Sequence, residues 1–266
     1  MLNFNFLHRK DTMKTIFITG AGAGIGLATA RRFAKEGWFV GGADCAQEAL
    51  DALEEEIGTD HCSTHAMDVV DPASIQRALK EFANRTGGQL DVLHNNAGIL
   101  RVGAFEEISL EDHQRIIEIN VIGLLNVLHT AFPYLRDTRK SQVVNMSSAS
   151  AIFGIPDFAS YSGSKHAVRA MTEALSIEWE RHDIRVCDLM PPFVNTGMVQ
   201  SNNNSRLITR LGANLSAEDV AEEVWNLTRK PQLHRPISWS LRATSAIASA
   251  TPPQLVRDIV KRLWKE

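Results

Sequence analysis

Cysteine is scarce in this chain and badly placed for cross-linking. Cys45, Cys62 and Cys187 are the three in 266 residues, odd in number, far apart and without a CxxC pair. That argues against a disulfide scaffold and fits a reducing compartment. An excess of charge is also lacking: the net charge is −3 and the basic residues are dispersed, so nucleic acid is not expected as a partner. No uninterrupted apolar run reaches membrane-spanning length. The opening stretch, MLNFNFLHRKDT, has no signal-peptide core, because Asn3, Asn5 and His8 break its apolar residues and a basic pair follows them. Residues 1–13 therefore read as a loose N-terminal extension. The protein is expected to be cytoplasmic, without membrane association. His61, Cys62 and His65 lie close in sequence but lead into a short strand, and no metal site is read there. Tyrosine is the rarest aromatic, with two residues against 11 phenylalanines and five tryptophans.

What is present is an alternation. KTIFIT from Lys14 is a β-branched and apolar run, followed by the glycine-rich GAGAGIG and the amphipathic LATARRFAKEG. Strands WFVGGAD, HCSTHAMDV, LDVLHNNAG, QVVNMSS and IRVCDLM follow. They are separated by the helices QEALDALEEEIG, PASIQRALKEFANRTG, a long one from about Ser109 to Leu135, and one from Tyr161 to about His182. Strands joined by helices of this length need crossovers and a parallel sheet. The fold class is α/β, a doubly wound Rossmann fold with a central parallel sheet flanked by helices on both faces. There is no internal repeat and no low-complexity linker, so residues 14–266 read as one domain. The pattern fails from Pro191 to about Ser216, read as a mobile substrate loop with a short helix. The tail, about 252–265, is an amphipathic helix carrying Leu255, Val256, Ile259, Val260, Leu263 and Trp264 on one face.

Ligands on such sheets bind beyond the carboxyl ends of the strands. The turn after the first strand reads Thr19-Gly20-xxx-Gly24-Ile25-Gly26, placed where glycines let phosphate approach the backbone and a helix start supplies free N–H groups. Asp44 ends the second strand, where a carboxylate accepts from ribose hydroxyls and repels a 2′-phosphate. Neither Cys45 nor Ala46 offers that phosphate a cation, so NAD is expected rather than NADP. Asp68, with Val69 beside it, ends the third strand and is placed to accept from an adenine amino group. Asn96, Ala97 and Gly98 end the fourth, small enough for close approach of a cofactor.

Ser147 and Ser148 end the fifth strand, and YSGSK follows with Tyr161 and Lys165 one helical turn apart. By itself that pair has a plain reading as a surface phenol beside a surface lysine. With TGAGAGIG, NNAG, the serine pair and YSGSK in this order, the chain from Lys14 to Met198 resembles the short-chain dehydrogenase/reductase family, in its main single-domain branch. The resemblance implies that Tyr161 is the general acid/base and that Lys165 lowers its pKa and bonds the nicotinamide ribose. It implies that Ser148, rather than Ser147, holds the substrate oxygen, and that Asn120 positions a water in a proton relay. Pro191 and Thr196 match the loop that follows the sixth strand, but Pro192 replaces the family's glycine and lacks both its freedom and an N–H. The expected reaction is interconversion of a secondary alcohol and a ketone. Ile152, Phe153, Ile155 and Phe158 favour an apolar substrate. A homodimer or homotetramer, built from the Asn120 and Tyr161 helices, is the family expectation. Alternatives are a 3-oxoacyl carrier-protein reductase using NADPH, a sugar epimerase or dehydratase of the extended branch, and a non-catalytic NAD-binding scaffold or sensor.

Overall fold

The computed structural model describes residues 13–200 and 215–265. Residues 1–12 of the expected N-terminal extension, and SNNNS with the rest of 201–214, lie outside the described residues. Seven parallel strands form one sheet: β1 (Thr15–Thr19), β2 (Phe39–Asp44), β3 (Cys62–Ala66), β4 (Val92–Asn95), β5 (Gln142–Met146), β6 (Arg185–Met190) and β7 (His234–Pro236). Their spatial order is β3-β2-β1-β4-β5-β6-β7. The chain therefore winds outward from β1 to one edge, returns, and winds outward again from β4. The crevice above this reversal, between the ends of β1 and β4, is where the topology leaves room for a ligand.

Burial on both faces accounts for the near-continuous apolar runs: all five residues of β1 and of β5 are buried. Phe17, Leu79, Phe82, Leu93 and Val127 fill one side of the sheet, and Ile16, Phe33, Val144, Leu189 and Val224 the other. The flanking helices are α1 (Gly24–Lys35), α2 (Gln47–Ile57), α3 (Pro72–Thr86), α4 (Leu110–Ile117), α5 (Leu124–Asp137) and α6 (Ala159–Glu178). α3 starts where Asp71 caps the Ala73 N–H and Pro72 fills the first turn, and stops at Gly87 in the left-handed region, φ +63°.

Two expectations are corrected. The long helix is not uniform: α4 and α5 are joined through a π-helical turn, Glu118–Gly123, which holds Asn120. The joined span Leu110–Asp137 is long and apolar enough to cross a membrane by length and composition; here it packs against α3 and α6. β3 ends at Ala66, leaving Asp68 beyond it. Between Ser216 and the tail helix the sequence reading assigns no elements. This region holds α8 (Ala217–Arg229), β7 and α9 (Trp239–Ala250) after a short α7 (Gly197–Gln200), with α10 (Pro253–Lys265) closing the chain. Three-residue β7 has no alternation to detect. It is held by His234, which bonds buried Asp188 at 2.9 Å and Glu173 at 3.0 Å.

One buried base makes the sheet acid-sensitive. His94 on β4 is fully buried; its Nδ1 lies 3.2 Å from the Val144 carbonyl and Nε2 has no partner. Burial pushes its pKa down to about 4. Above the unfolded value of about 6.5 neither state binds this proton; below it only the unfolded chain does, until the folded value is reached. Stability should therefore fall by about 3 kcal/mol as pH drops from 7.5 to near 4 on this account alone. Urea unfolding at the two pH values checks it, and His94→Val should flatten the dependence. His65, also pushed down by burial, should leave a remainder.

Candidate active site

The crevice is a cleft of about 280 Å³. Of the residues singled out from sequence, Gly20, Gly24, Ile25, Asp44, Asn96, Ala97, Gly98, Ser148, Tyr161, Lys165, Pro191 and Thr196 line it. Gly26, Asp68, Val69 and Asn120 do not.

At one end is the glycine turn. Gly20 and Gly24 have φ of +70° and +52°, a backbone that a side chain would strain. Ala23 gives α1 no side-chain cap, so the first N–H groups of the helix are left for a ligand. Asp44 closes this end: Oδ2 accepts from the Gly22 N–H at 2.9 Å and Oδ1 from the Ala46 N–H at 3.0 Å. Each oxygen keeps a lone pair for a hydroxyl. Free N–H groups beside close-approach glycines, with a fixed carboxylate at the rim, fit the pyrophosphate and ribose of a dinucleotide. One cation near this rim had no sequence signal. Arg115, from α4, acts on the Cys45 thiol but is tied to Glu118 at 2.7 Å and lies 3.9 Å from Asp68. Asp68 also accepts from the Val70 N–H at 3.0 Å. Gly26 and Val69 act by packing: a Cβ on Gly26 would fall 1.9 Å from the Gly20 oxygen, and Val69 packs against Gly123 of the π turn.

At the other end, β5 delivers the serines and α6 delivers Tyr161 and Lys165. Buried Ser147 bonds the Lys165 carbonyl at 3.4 Å, whereas Ser148 lines the cleft with the Tyr161 phenol and acts on it. Lys165 is 4% exposed; its Nζ donates to the Met146 carbonyl at 2.8 Å and lies 5.6 Å from the Tyr161 ring centre. The expectation that Lys165 lowers the Tyr161 pKa does not describe this state. Enclosure pushes the phenol up, partly offset by Ser148, and burial pushes Lys165 down to about 8. Both groups are drawn toward their neutral forms.

The Asn120 side chain is engaged by protein groups. Its Oδ1 accepts from the Ile99 N–H at 2.8 Å, and Nδ2 donates to the Ile99 carbonyl at 3.0 Å and to Ser164 at 3.1 Å. That side chain pins the segment after β4 to α6. A Cβ on Gly98 would lie 3.1 Å from Asn120 Oδ1, a tight contact, and 3.7 Å from Lys165 Nζ, an ordinary one, so the glycine leaves room between these groups.

The apolar wall is corrected too. Phe158 lines the cleft, joined by Leu100 and Phe193, which the sequence reading missed; Phe158 and Phe193 lie 5.6 Å apart between ring centres. Ile155 packs against this cluster from behind. Ile152, Phe153 and Ile155 instead line a separate groove of about 890 Å³, whose far wall is Val256, Val260 and Trp264 of α10. Leu255 and Ile259 point to solvent, so the expected single apolar face is split; the Leu263 side chain lies outside the described residues. Pro192 lines the cleft beside Pro191, whose carbonyl accepts the Ala149 N–H at 2.9 Å and ties this loop to the serine loop.

The family model described as short chain dehydrogenase matches residues 14–207. The chain is 36% identical over 194 residues to oxidoreductase UcpA of Escherichia coli K12, covering 72% of this chain and 73% of that one. It is 33% identical over 215 residues to meso-2,3-butanediol dehydrogenase of Serratia marcescens, covering 78% and 84%. Among solved structures, the 3-ketoacyl-(acyl-carrier-protein) reductase of Brucella melitensis complexed with NADH superposes with a TM-score of 0.76 at 28% identity, covering 84% of this chain and 96% of that one.

Proposed function

The chain belongs to the short-chain dehydrogenase/reductase family of oxidoreductases, and from that premise we propose that it interconverts an apolar secondary alcohol and a ketone using NAD. The observation that carries the reading is that Ser148, Tyr161 and buried Lys165 line the same cleft as the glycine turn and Asp44.

Nicotinamide, when bound, supplies the hydride acceptor or donor; the rest falls to the chain. For oxidation, Tyr161 Oη takes the proton of the substrate hydroxyl, and for reduction it returns a proton to the carbonyl oxygen. Ser148 donates to the oxygen on which charge changes. The ammonium of Lys165 lies beside the phenol and stabilises the phenolate as it forms, while its bond to Met146 fixes its place. Phe158, Phe193 and Leu100 exclude water and favour an apolar substrate body. Gly20, Gly24, Ile25, Asp44, Asn96, Ala97, Gly98, Pro191 and Thr196 would hold the dinucleotide, with Asp68 and Val69 behind the adenine end. Exposed Ile117, Ile122 and Leu125 on the Asn120 span, with Ile177 on α6, supply an apolar surface through which a homodimer or homotetramer would form.

A second reading, 3-oxoacyl carrier-protein reductase, is favoured by the NADH-bound relative of that name. A turnover screen separates the two: NAD and NADP against apolar secondary alcohols and an acyl carrier-protein thioester. The proposal expects NAD-dependent alcohol oxidation. NADPH-dependent reduction of the thioester alone would overturn it. Asp44→Asn, which removes the charge and keeps one acceptor oxygen, should lower kcat/KM with NAD by about tenfold and narrow the gap to NADP.

A further inference from the structure

Ser148 needs a free proton aimed at the phenol side of the cleft, and a hydroxyl has one proton and two lone pairs. Two residues on, Ser150 is 2% exposed and meets Ser148 twice: its N–H reaches Ser148 Oγ at 3.2 Å and its own Oγ lies 2.7 Å from the same atom. The N–H can only donate. The direction of the hydroxyl pair follows from satisfaction. Were Ser148 the donor, the Ser150 proton would be buried with no acceptor, because Ser150 Oγ makes no other bond among those described; with Ser150 as donor the proton left over is that of Ser148, which lines the cleft. Both lone pairs of Ser148 are then filled, so its own proton is the one left to face the cleft that it shares with Tyr161.

We propose that Ser150 is a positioning residue that turns the Ser148 proton toward Tyr161 and the substrate oxygen. The hydrogen-bond direction stands on this geometry; its bearing on turnover rests on the oxidoreductase reading above. Ser148 acts on the phenol against burial, lowering its pKa. The sequence gives no warning, since SSAS reads as an ordinary small-residue turn.

With only two tyrosines, Tyr134 and Tyr161, ¹³Cζ-tyrosine labelling gives two resonances, which Tyr134→Phe assigns. Titration needs neither substrate nor cofactor. Ser150→Ala should raise the Tyr161 midpoint by about half to one pH unit, and Ser150→Thr should restore it. The pH limb of kcat/KM should move by the same amount, with kcat falling about tenfold and KM little changed. A Tyr161 midpoint in Ser150→Ala equal to that of the parent would overturn the inference, whatever happened to the melting temperature. Absence of turnover in the parent would instead count against the oxidoreductase reading and leave the titration to decide Ser150 by itself.

Discussion

Tyr161→Phe is expected to lower kcat by about 10³-fold or more while leaving the fold and NAD binding close to those of the parent. A positioned general acid/base contributes about 10² to 10⁴ in rate, and neither described neighbour, Ser148 or Lys165, can replace this one. Ser148 has its lone pairs filled by Ser150, and Lys165 is held 2.8 Å from the Met146 carbonyl. The substitution removes one oxygen and keeps the ring, with its edge contact to Phe158 at 6.5 Å between centres. Stability should therefore change little.

The pH profile sharpens the test. Tyr161 and Lys165 lie close enough to titrate as a pair, and Lys165 is pushed down to about 8 by burial. Alcohol oxidation should accelerate with rising pH as the pair loses its first proton, which is the species able to accept one from substrate. The residual rate of Tyr161→Phe should lack that limb. A variant that keeps both the rate and the limb would show that the proton goes elsewhere.

The parts of this molecule that were legible in sequence share a cause. A strand buried on both faces must be apolar throughout, and KTIFIT and QVVNM could be little else; β1 and β5 are fully buried. The glycine turn is visible because its backbone needs what only glycine supplies. Tyr161 and Lys165 are visible because helical spacing fixes their separation before any tertiary contact is known. What stayed hidden depends on contacts between distant segments. Phe193 enters the cleft beside Phe158, a residue from a distant loop, and nothing local marks it. β7 is three residues held by His234 to Asp188 and Glu173, partners 46 and 61 residues away. Ile152 and Phe153 were assigned to the substrate because apolar loop residues near a catalytic pair usually are. The tail helix, packing beside them, makes a second groove that claims them. Asn120 was placed correctly in its helix, yet the bonds it makes to Ile99 and Ser164 belong to the π turn that the periodicity cannot show.

The other large effect expected is from Gly26→Ala, and it should come from distance rather than backbone freedom. Gly26 sits inside α1 with ordinary helical geometry, where alanine is normally better by about 1 kcal/mol. Its added Cβ, however, would lie 1.9 Å from the Gly20 oxygen, 2.7 Å from the Gly20 carbon and 2.9 Å from Asn96 Nδ2. None of these can swing aside. Two belong to the backbone at the end of β1, and Asn96 is itself bonded to the Thr19 carbonyl at 3.0 Å. Relief requires α1 to move away from the sheet, against Phe33 and Ala30 in the core. Such overpacking costs about 1–3 kcal/mol or more, which exceeds the propensity gain. The same movement carries the uncapped N–H groups of α1 out of register with the turn, so NAD affinity should fall by about 100-fold or more. Gly163→Ala on α6 is the control, since nothing lies within 4 Å of its added Cβ and its φ is not positive. There the propensity term acts alone and stability should rise by about 0.5–1 kcal/mol. Urea unfolding and NAD titration of the two variants should give opposite signs for one substitution in two helices. A neutral Gly26→Ala that still bound NAD would mean that α1 sits farther from the turn than the structure places it.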